Sequence, residues 1–429
     1  MPLSNPLPFL RISDANPTRW LRVGKVLDAK NRRILHDAHL VYDGACLLHV
    51  GETPPPAAIL SGQTEPDLVL PDFTALPGLI EGHSHTFLEG AELAADKRAA
   101  YQQQDDEGLY QGALSRLHPL ARLGVIAMRD GGDKSGTGLR LSKLTASADG
   151  PAFAARVFSP GPGIFRRGRY GSFFGQALED FPSIEACVAA RVAEGSDHIK
   201  IVPTGIINFA KGAVTAAPQF SAEEVREFKR AATAHGKHLM AHASGAPGVG
   251  NAIEGGVDTV EHGFFITDDQ LAMMRDRGIS WVPTFAPVQE QLDHADLMGW
   301  NAEVCGHLAT IIENHAQSLQ RALKMGVNVL VGSDSGSCGV AHGTGLYYEM
   351  ELLEKAGMPP LDILCQATYG NHLALTGRQP FGSLEPGYLP RFILTRASPL
   401  ASVCELHKEL FVVFDGAAES SAQVARVNL

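Results

Sequence analysis

The stretch Leu76-Pro-Gly-Leu-Ile-Glu-Gly-His83-Ser-His85 is an apolar, strand-like run that ends in a His-x-His pair. Alternate residues of an extended chain point the same way, so the two imidazoles can face one cation. Alone, the pair decides little, because neighbouring histidines are as often surface or hydrogen-bonding groups. Its weight comes from a theme repeated downstream. Between Leu76 and Ser335, short apolar and β-branched runs end in polar or glycine residues, and helical patterns usually follow. Eight such runs occur, at 76–80, 125–128, 153–158, 198–202, 238–240, 258–260, 280–282 and 327–331. Ser221 with Glu224, and Thr267 with Gln270, make capping boxes that start two of the helices, and Gly236 and Gly278 sit where those helices should stop. Strands alternating with helices imply crossover units, parallel strands, and outgoing strand ends gathered on one face. The expected fold class is α/β, a (β/α)8 TIM barrel whose active site lies on that face.

Outward from this repeat the pattern changes. Strand-like runs at 21–27, 38–42 and 46–50 precede three prolines, Pro54, Pro55 and Pro56; two more runs, at 391–395 and 410–414, follow Gly377. Neither flank has enough strands for a stable sheet, so both chain ends are expected to pair into one small β-sandwich domain. The chain then divides into 1–75 and 377–429 for the small domain and 76–376 for the barrel.

Bulk composition narrows the function classes. The 429 residues are 45% hydrophobic and 19% charged, with no long apolar run of the kind that spans a bilayer. A net charge of -11, with only Arg166, Arg167 and Arg169 forming a basic patch, disfavours nucleic acid as a partner. The expected partner is a small-molecule substrate, and a homo-oligomer is expected. Six scattered cysteines without a Cys-x-x-Cys pair suit a reducing cytoplasm. The first twenty residues carry prolines and charges where a signal peptide needs an unbroken apolar core, so a cytoplasmic location is expected.

Lys200 lies within the fourth run, His242 ends the fifth, His262 ends the sixth and Asp334 ends the eighth. Each has an ordinary explanation by itself: a satisfied histidine, a snorkelling lysine, a helix-capping aspartate. Together they do not, since unrelated core residues have no reason to choose the outgoing face of a barrel.

The set His83-x-His85, Lys200, His242, Glu261-His262-Gly263 and Ser333-Asp334 closely resembles the binuclear branch of the amidohydrolase superfamily, over nearly the whole chain. The stretches Ala241-His-Ala243, Val260-Glu-His-Gly263 and Trp281-Val-Pro-Thr284 look most like the imidazolonepropionase-related and prolidase-like amide hydrolases. Gly382-Ser-Leu-Glu-Pro-Gly387 looks like that family's return to its small β-domain. The resemblance implies that His83, His85 and Asp334 hold one divalent cation while His242 and His262 hold the other. Lys200 would bridge the pair as the carbamate it forms with carbon dioxide, because a protonated amine cannot ligate. Zinc is the default for this donor set, and manganese, cobalt or iron suit the same ligands. By the same resemblance a metal-bridging hydroxide attacks the substrate carbonyl, and Asp334 is the catalytic proton shuttle to the departing amine.

The implied activity is hydrolysis of a carbon–nitrogen bond in a dipeptide, N-acyl amino acid, aryl amide, carbamate or urea. A cyclic amide or imine hydrolase, or a deaminase, is the alternative. Deaminating relatives usually carry a glutamate three residues after the strand-five histidine, where this chain reads His242-Ala-Ser-Gly245. A catalytically inactive scaffold is a further reading, but such relatives typically lose ligands and all six are present here. Substrate contacts are less defined. Prolidase-like relatives often carry a histidine after strand three, where this chain has Gly161-Pro-Gly-Ile-Phe-Arg-Arg-Gly-Arg-Tyr170. Arg169 and Tyr170 are candidate substrate contacts, although the three arginines also read as a solvated basic loop. His342, in the loop after strand eight, is either a further contact or an ordinary loop histidine. The long connection 285–301, with His294, Met298 and Trp300, reads as a lid over the metals or as a subunit contact.

Overall fold

A computed structural model describes residues 6–60, 62–375 and 380–421. After a short helix, Leu7–Leu10, come four strands, β1 (Arg19–Asp28), β2 (Arg33–Tyr42), β3 (Leu47–Gly51) and β4 (Leu68–Pro77). Nine strands follow in the central region: β5 (Leu79–Ser84), β6 (Val125–Asp130), β7 (Arg156–Phe158), β8 (Gly163–Phe165), β9 (Gly175–Ala177), β10 (Ile199–Ile201), β11 (Leu239–Ala243), β12 (Thr259–His262) and β13 (Ser280–Val282). The C-terminal set is β14 (Arg391–Thr395), β15 (Leu410–Phe414) and β16 (Ala417–Ser421).

The two chain ends do pair, but edge to edge. β4 lies parallel to β1 and antiparallel to β14, with Phe392 opposite Pro77 and Leu394 opposite Ala75. The result is one seven-stranded sheet of order β16-β15-β14-β4-β1-β2-β3, in place of the expected sandwich. Because β4 offers one edge to each end of the chain, the two sets extend a single layer instead of stacking. Leu21, Val23, Leu40, Phe392, Phe411 and Val413 supply its buried apolar core.

The run expected at 76–80 is split between two sheets. Leu76 and Pro77 finish β4, Gly78 N donates to Arg391 O at 3.0 Å, and Leu79 N donates to Gly124 O at 2.8 Å. The chain thus changes partners at Gly78, where an added Cβ would come within 2.3 Å of Ile126. The expected division at 75/76 falls inside β4, and that at 376/377 lies outside the described residues.

The central strands are TIM-barrel-like. β5, β6 and β7 form one parallel sheet, and β13-β12-β11-β10-β8-β9 form a second. The third expected strand is shortened to Arg156–Phe158, since Phe153 adopts φ +55°; β8 arises within the 161–170 segment read as a loop, and β9 follows it. A closed ladder of eight strands is not formed among the described residues. The eighth run, 327–331, stays outside the ladders and spans the gap through separate bonds. Trp281 N donates to Asn328 O at 2.9 Å and Leu330 N to Trp281 O at 2.8 Å on one side; Gly82 N donates to Val331 O at 3.0 Å and Asp334 N to His83 O at 2.8 Å on the other. Both capping boxes form, on the helices Ala222–Ala234 and Asp268–Arg277. No helix among the described residues is long and apolar enough to cross a membrane.

Candidate metal centre

The outgoing ends carry the predicted residues inward. His83 is on β5 with His85 just beyond it, Lys200 is central in β10, His242 is on β11, His262 closes β12, and Asp334 follows the eighth run. Parallel register sets His242 opposite Glu261 and Ala243 opposite His262, which staggers the two histidines along the sheet. All six predicted side chains are buried, Lys200 being only 1% exposed.

Three of the four imidazoles are aimed by a partner on the far nitrogen. His83 Nδ1 pairs with Glu261 Oε2 at 2.7 Å, His85 Nδ1 donates to Gly132 O at 3.1 Å, and His262 Nδ1 meets Thr284 Oγ1 at 2.7 Å. Fixing one ring nitrogen leaves the other to point at a ligand. His83 Nε2 and His85 Nε2 lie 3.5 and 3.7 Å from Asp334 Oδ1, and donor atoms of these three residues fall within 4.8 Å of one another. The rings of His242 and His262 are 4.5 Å apart, and that of His262 is 5.1 Å from His83.

Backbone strain accompanies this convergence. His262, Thr284 and Asp334 adopt φ of +68°, +52° and +56°, a region costing non-glycine residues about 1–3 kcal/mol each. The glycine of the Glu261-His262-Gly263 motif has a local cause as well. Trp281 Nε1 donates to His262 O at 2.9 Å, and a Cβ on Gly263 would lie 2.5 Å from that indole nitrogen.

Electrostatically the cluster is poised away from protonated imidazole. Burial pushes His85 down to about 4 and His242 to about 3, and holds His83 and His262 well below the usual histidine range. Burial also lowers the Lys200 amine to about 8 and raises the Asp334 carboxyl to about 7. Neutral imidazoles are the ligating form, and a neutral amine is the form that takes up carbon dioxide.

Four buried polar atoms in this cluster make no hydrogen bond: His83 Nε2, Lys200 Nζ, His242 Nε2 and Asp334 Oδ1. Buried polar atoms are otherwise almost always paired, so four orphans at one place fit a site for cations. The nitrogen and oxygen donors suit zinc-type ions.

The cluster floors a cavity of about 270 Å³. Tyr170 lines it, its ring 5.3 Å from that of His242. Arg169 does not; it is exposed and reaches Ala217 O. His342 does not line it either, since its Nε2 is held by Leu88 O at 2.8 Å. The 285–301 connection folds into two short helices, Ala286–Asp293 and Ala295–Met298, and the first brings Pro287, Val288 and Gln291 to the cavity wall.

Several supporting residues were given no role of their own by the sequence reading, although Glu261 stands within the quoted Glu261-His262-Gly263 motif. Glu81 accepts from His83 N at 3.1 Å and from Ser333 N at 2.9 Å, tying β5 to the eighth run beside Asp334. Glu261 also pairs with Arg129 Nη1 at 3.2 Å. The signal for Glu81 was a carboxylate following the apolar Leu79-Ile80, and for Glu261 its place in the Glu-His-Gly motif.

Histidines and an aspartate gathered at the outgoing ends of a TIM-barrel-like sheet define a metal-dependent hydrolase architecture. The chain belongs to the amidohydrolase family, which residues 74–417 match, and is by that membership a hydrolase of amide-type bonds. An uncharacterised protein of Mycobacterium tuberculosis is 27% identical over 313 residues, covering 71% of this chain and 76% of its own. The ochratoxinase of Aspergillus niger is 24% identical over 305 residues, 63% of this chain and 60% of that one. Among solved structures, a Xaa-Pro dipeptidase with methionine bound in its active site superposes with a TM-score of 0.76 at 24% identity, over 94% of this chain and 100% of the other.

Proposed function

We propose that the protein hydrolyses the carbon–nitrogen bond of an amide-type small molecule, using two divalent cations held by His83, His85, Lys200, His242, His262 and Asp334. The observation that carries this reading is a group of four unpaired buried polar atoms, of which Lys200 Nζ, His242 Nε2 and Asp334 Oδ1 belong to residues on one cavity floor and His83 Nε2 lies 3.5 Å from Asp334 Oδ1. His83, His85 and Asp334 would hold one cation, His242 and His262 the other, and Lys200, as a carbamate, would offer an oxygen to each. Zinc is the first expectation. When bound, the cations supply the positive charge that acidifies water and polarises a substrate carbonyl.

The chain's own groups do the rest. Glu261, Gly132 O and Thr284 keep three imidazoles turned inward, so little reorganisation is needed on binding. The apolar walls exclude bulk water from the floor. Asp334 Oδ1 takes a proton from the attacking water and passes it to the leaving nitrogen. The carbonyl carbon thereby gains a hydroxyl, the carbon–nitrogen bond breaks, and the nitrogen leaves as a neutral amine. The helix Ala286–Asp293 forms part of the wall.

Metal analysis tests the assignment. Purified protein should carry two divalent ions per chain and lose amide hydrolysis on chelation. Lys200→Ala should lower that content, with partial rescue by a short carboxylic acid. Two ions retained in Lys200→Ala would exclude the bridging role, and a folded protein that binds none would exclude the reading altogether.

A further inference from the structure

The cavity above the strand ends separates charge from apolar surface. Its floor holds the ionisable groups, whereas Phe173, Phe174, Ile206, Ile207, Phe209 and Phe264 stand above them. The polar groups mixed into the wall, Ser244, Gln291, Ser337 and Cys338, carry no formal charge. Among the described residues lining the cavity there is no arginine, and the one lysine, Lys200, belongs to the floor. The nearby arginines do not line it: Arg166 is paired with Glu179 and Glu224, Arg167 is paired with Asp180, and Arg169 is exposed with its guanidinium at Ala217 O.

The mouth is also apolar. Phe173 is 37% exposed and Ile206 is 55% exposed, and both line this opening. Large exposed apolar side chains grouped at a cavity entrance mark a surface that a ligand covers. A carboxylate placed against these walls would lose its hydration and meet no counter-ion among the wall residues, which disfavours burying it there. An aromatic ring placed there loses only unfavourable contact with water.

Resting on the hydrolase reading above, we propose that the substrate is an electrically neutral N-aryl amide, carbamate or urea, its ring packed between Phe173, Ile206 and Phe209. Dipeptides and N-acyl amino acids, which present a free carboxylate, are then poor substrates. Water adds across the bond so that the acyl carbon gains a hydroxyl and the aryl nitrogen gains a hydrogen, releasing a neutral arylamine into the apolar part of the cavity.

The test uses a matched pair, 4-acetamidobenzoate and its methyl ester, with acetanilide as the unsubstituted reference. Their ketone isosteres, in which CH2 replaces the amide NH, cannot be hydrolysed and report binding alone by calorimetry. The metal-loaded protein should bind the neutral isostere at least tenfold more tightly than the carboxylate and hydrolyse the neutral amides with at least tenfold higher kcat/KM. Ile206→Arg, at an exposed position that tolerates the larger side chain, should move the ratio toward the carboxylate by at least fivefold. Equal or tighter binding of the carboxylate isostere overturns the proposal, as does binding of neither isostere or a ratio unmoved by Ile206→Arg. Preferential binding of the neutral isostere without hydrolysis of any amide supports a neutral aryl ligand for the cavity while rejecting the hydrolytic role. The two readings therefore fail separately.

Discussion

In the seven-stranded sheet, buried polar groups such as Tyr42 and Trp20 find partners: Tyr42 Oη donates to Leu10 O at 2.7 Å and Trp20 Nε1 donates to His39 Nδ1 at 3.0 Å. At the ring of strand ends the opposite holds, with four unpaired buried atoms and three non-glycine residues at positive φ. An unpaired buried group costs about 1–3 kcal/mol, so the ring is held in place against its own preference by the surrounding packing. On the proposed reading the sheet serves stability and the strand ends serve ligand binding. Mutations in the two regions should therefore separate melting temperature from turnover.

The largest effect should come from Asp334→Asn. Loss of the proton carrier should lower kcat at least about a thousandfold, roughly 4 kcal/mol, while the metal-free protein melts no lower than wild type. Wild-type turnover, or a collapse in melting temperature, would remove the contrast at its centre. Phe392→Ala, in the core of the sheet and packed 5.3 Å from the Tyr42 ring, should cost about 3–5 kcal/mol in denaturant unfolding and leave kcat per folded molecule unchanged.

Glu261→Gln acts between these extremes. It weakens the support of His83 Nδ1 and leaves Arg129 without its paired charge, so metal affinity should fall about 10–100-fold in a competition titration. Unchanged affinity would mean that His83 is oriented by something else. Tyr42→Phe should give the smallest effect, about 1 kcal/mol of stability with kinetics untouched. A change in kcat there would show that the sheet and the ring are not independent.

Much of the centre was legible in the sequence, because His83, His85, Lys200, His242, His262 and Asp334 sit within or just past apolar runs whose direction is fixed by the crossover rule. The helix starts at Ser221 and Thr267 were equally legible, since a capping box is local chemistry. Long-range features were not. The edge-to-edge meeting of β4 and β14 joins residues more than 300 positions apart, and alternation along a strand says nothing about which edge it will use. The eighth run reads like its predecessors, yet its pairing is reduced to separate bonds on both sides. The supporting roles of Glu81 and Arg129, and the partners of the motif residue Glu261, were hidden by burial of both faces of their strands, which removes the periodic signal that would have marked a charged side chain as inward. His342 illustrates the converse: a loop position near the site suggested contact, and a single backbone carbonyl holds the ring elsewhere.

The chain has three tryptophans, and they fall in three different places: Trp20 in the seven-stranded sheet, Trp281 beneath His262, and Trp300 just after the short helices of the 285–301 connection, its Nε1 3.2 Å from Gln291 Oε1. The molecule thus contains its own set of optical probes. Retaining one indole at a time would let emission from Trp20 follow unfolding of the sheet, Trp281 the arrival of a cation, and Trp300 any movement of the wall, without an attached dye.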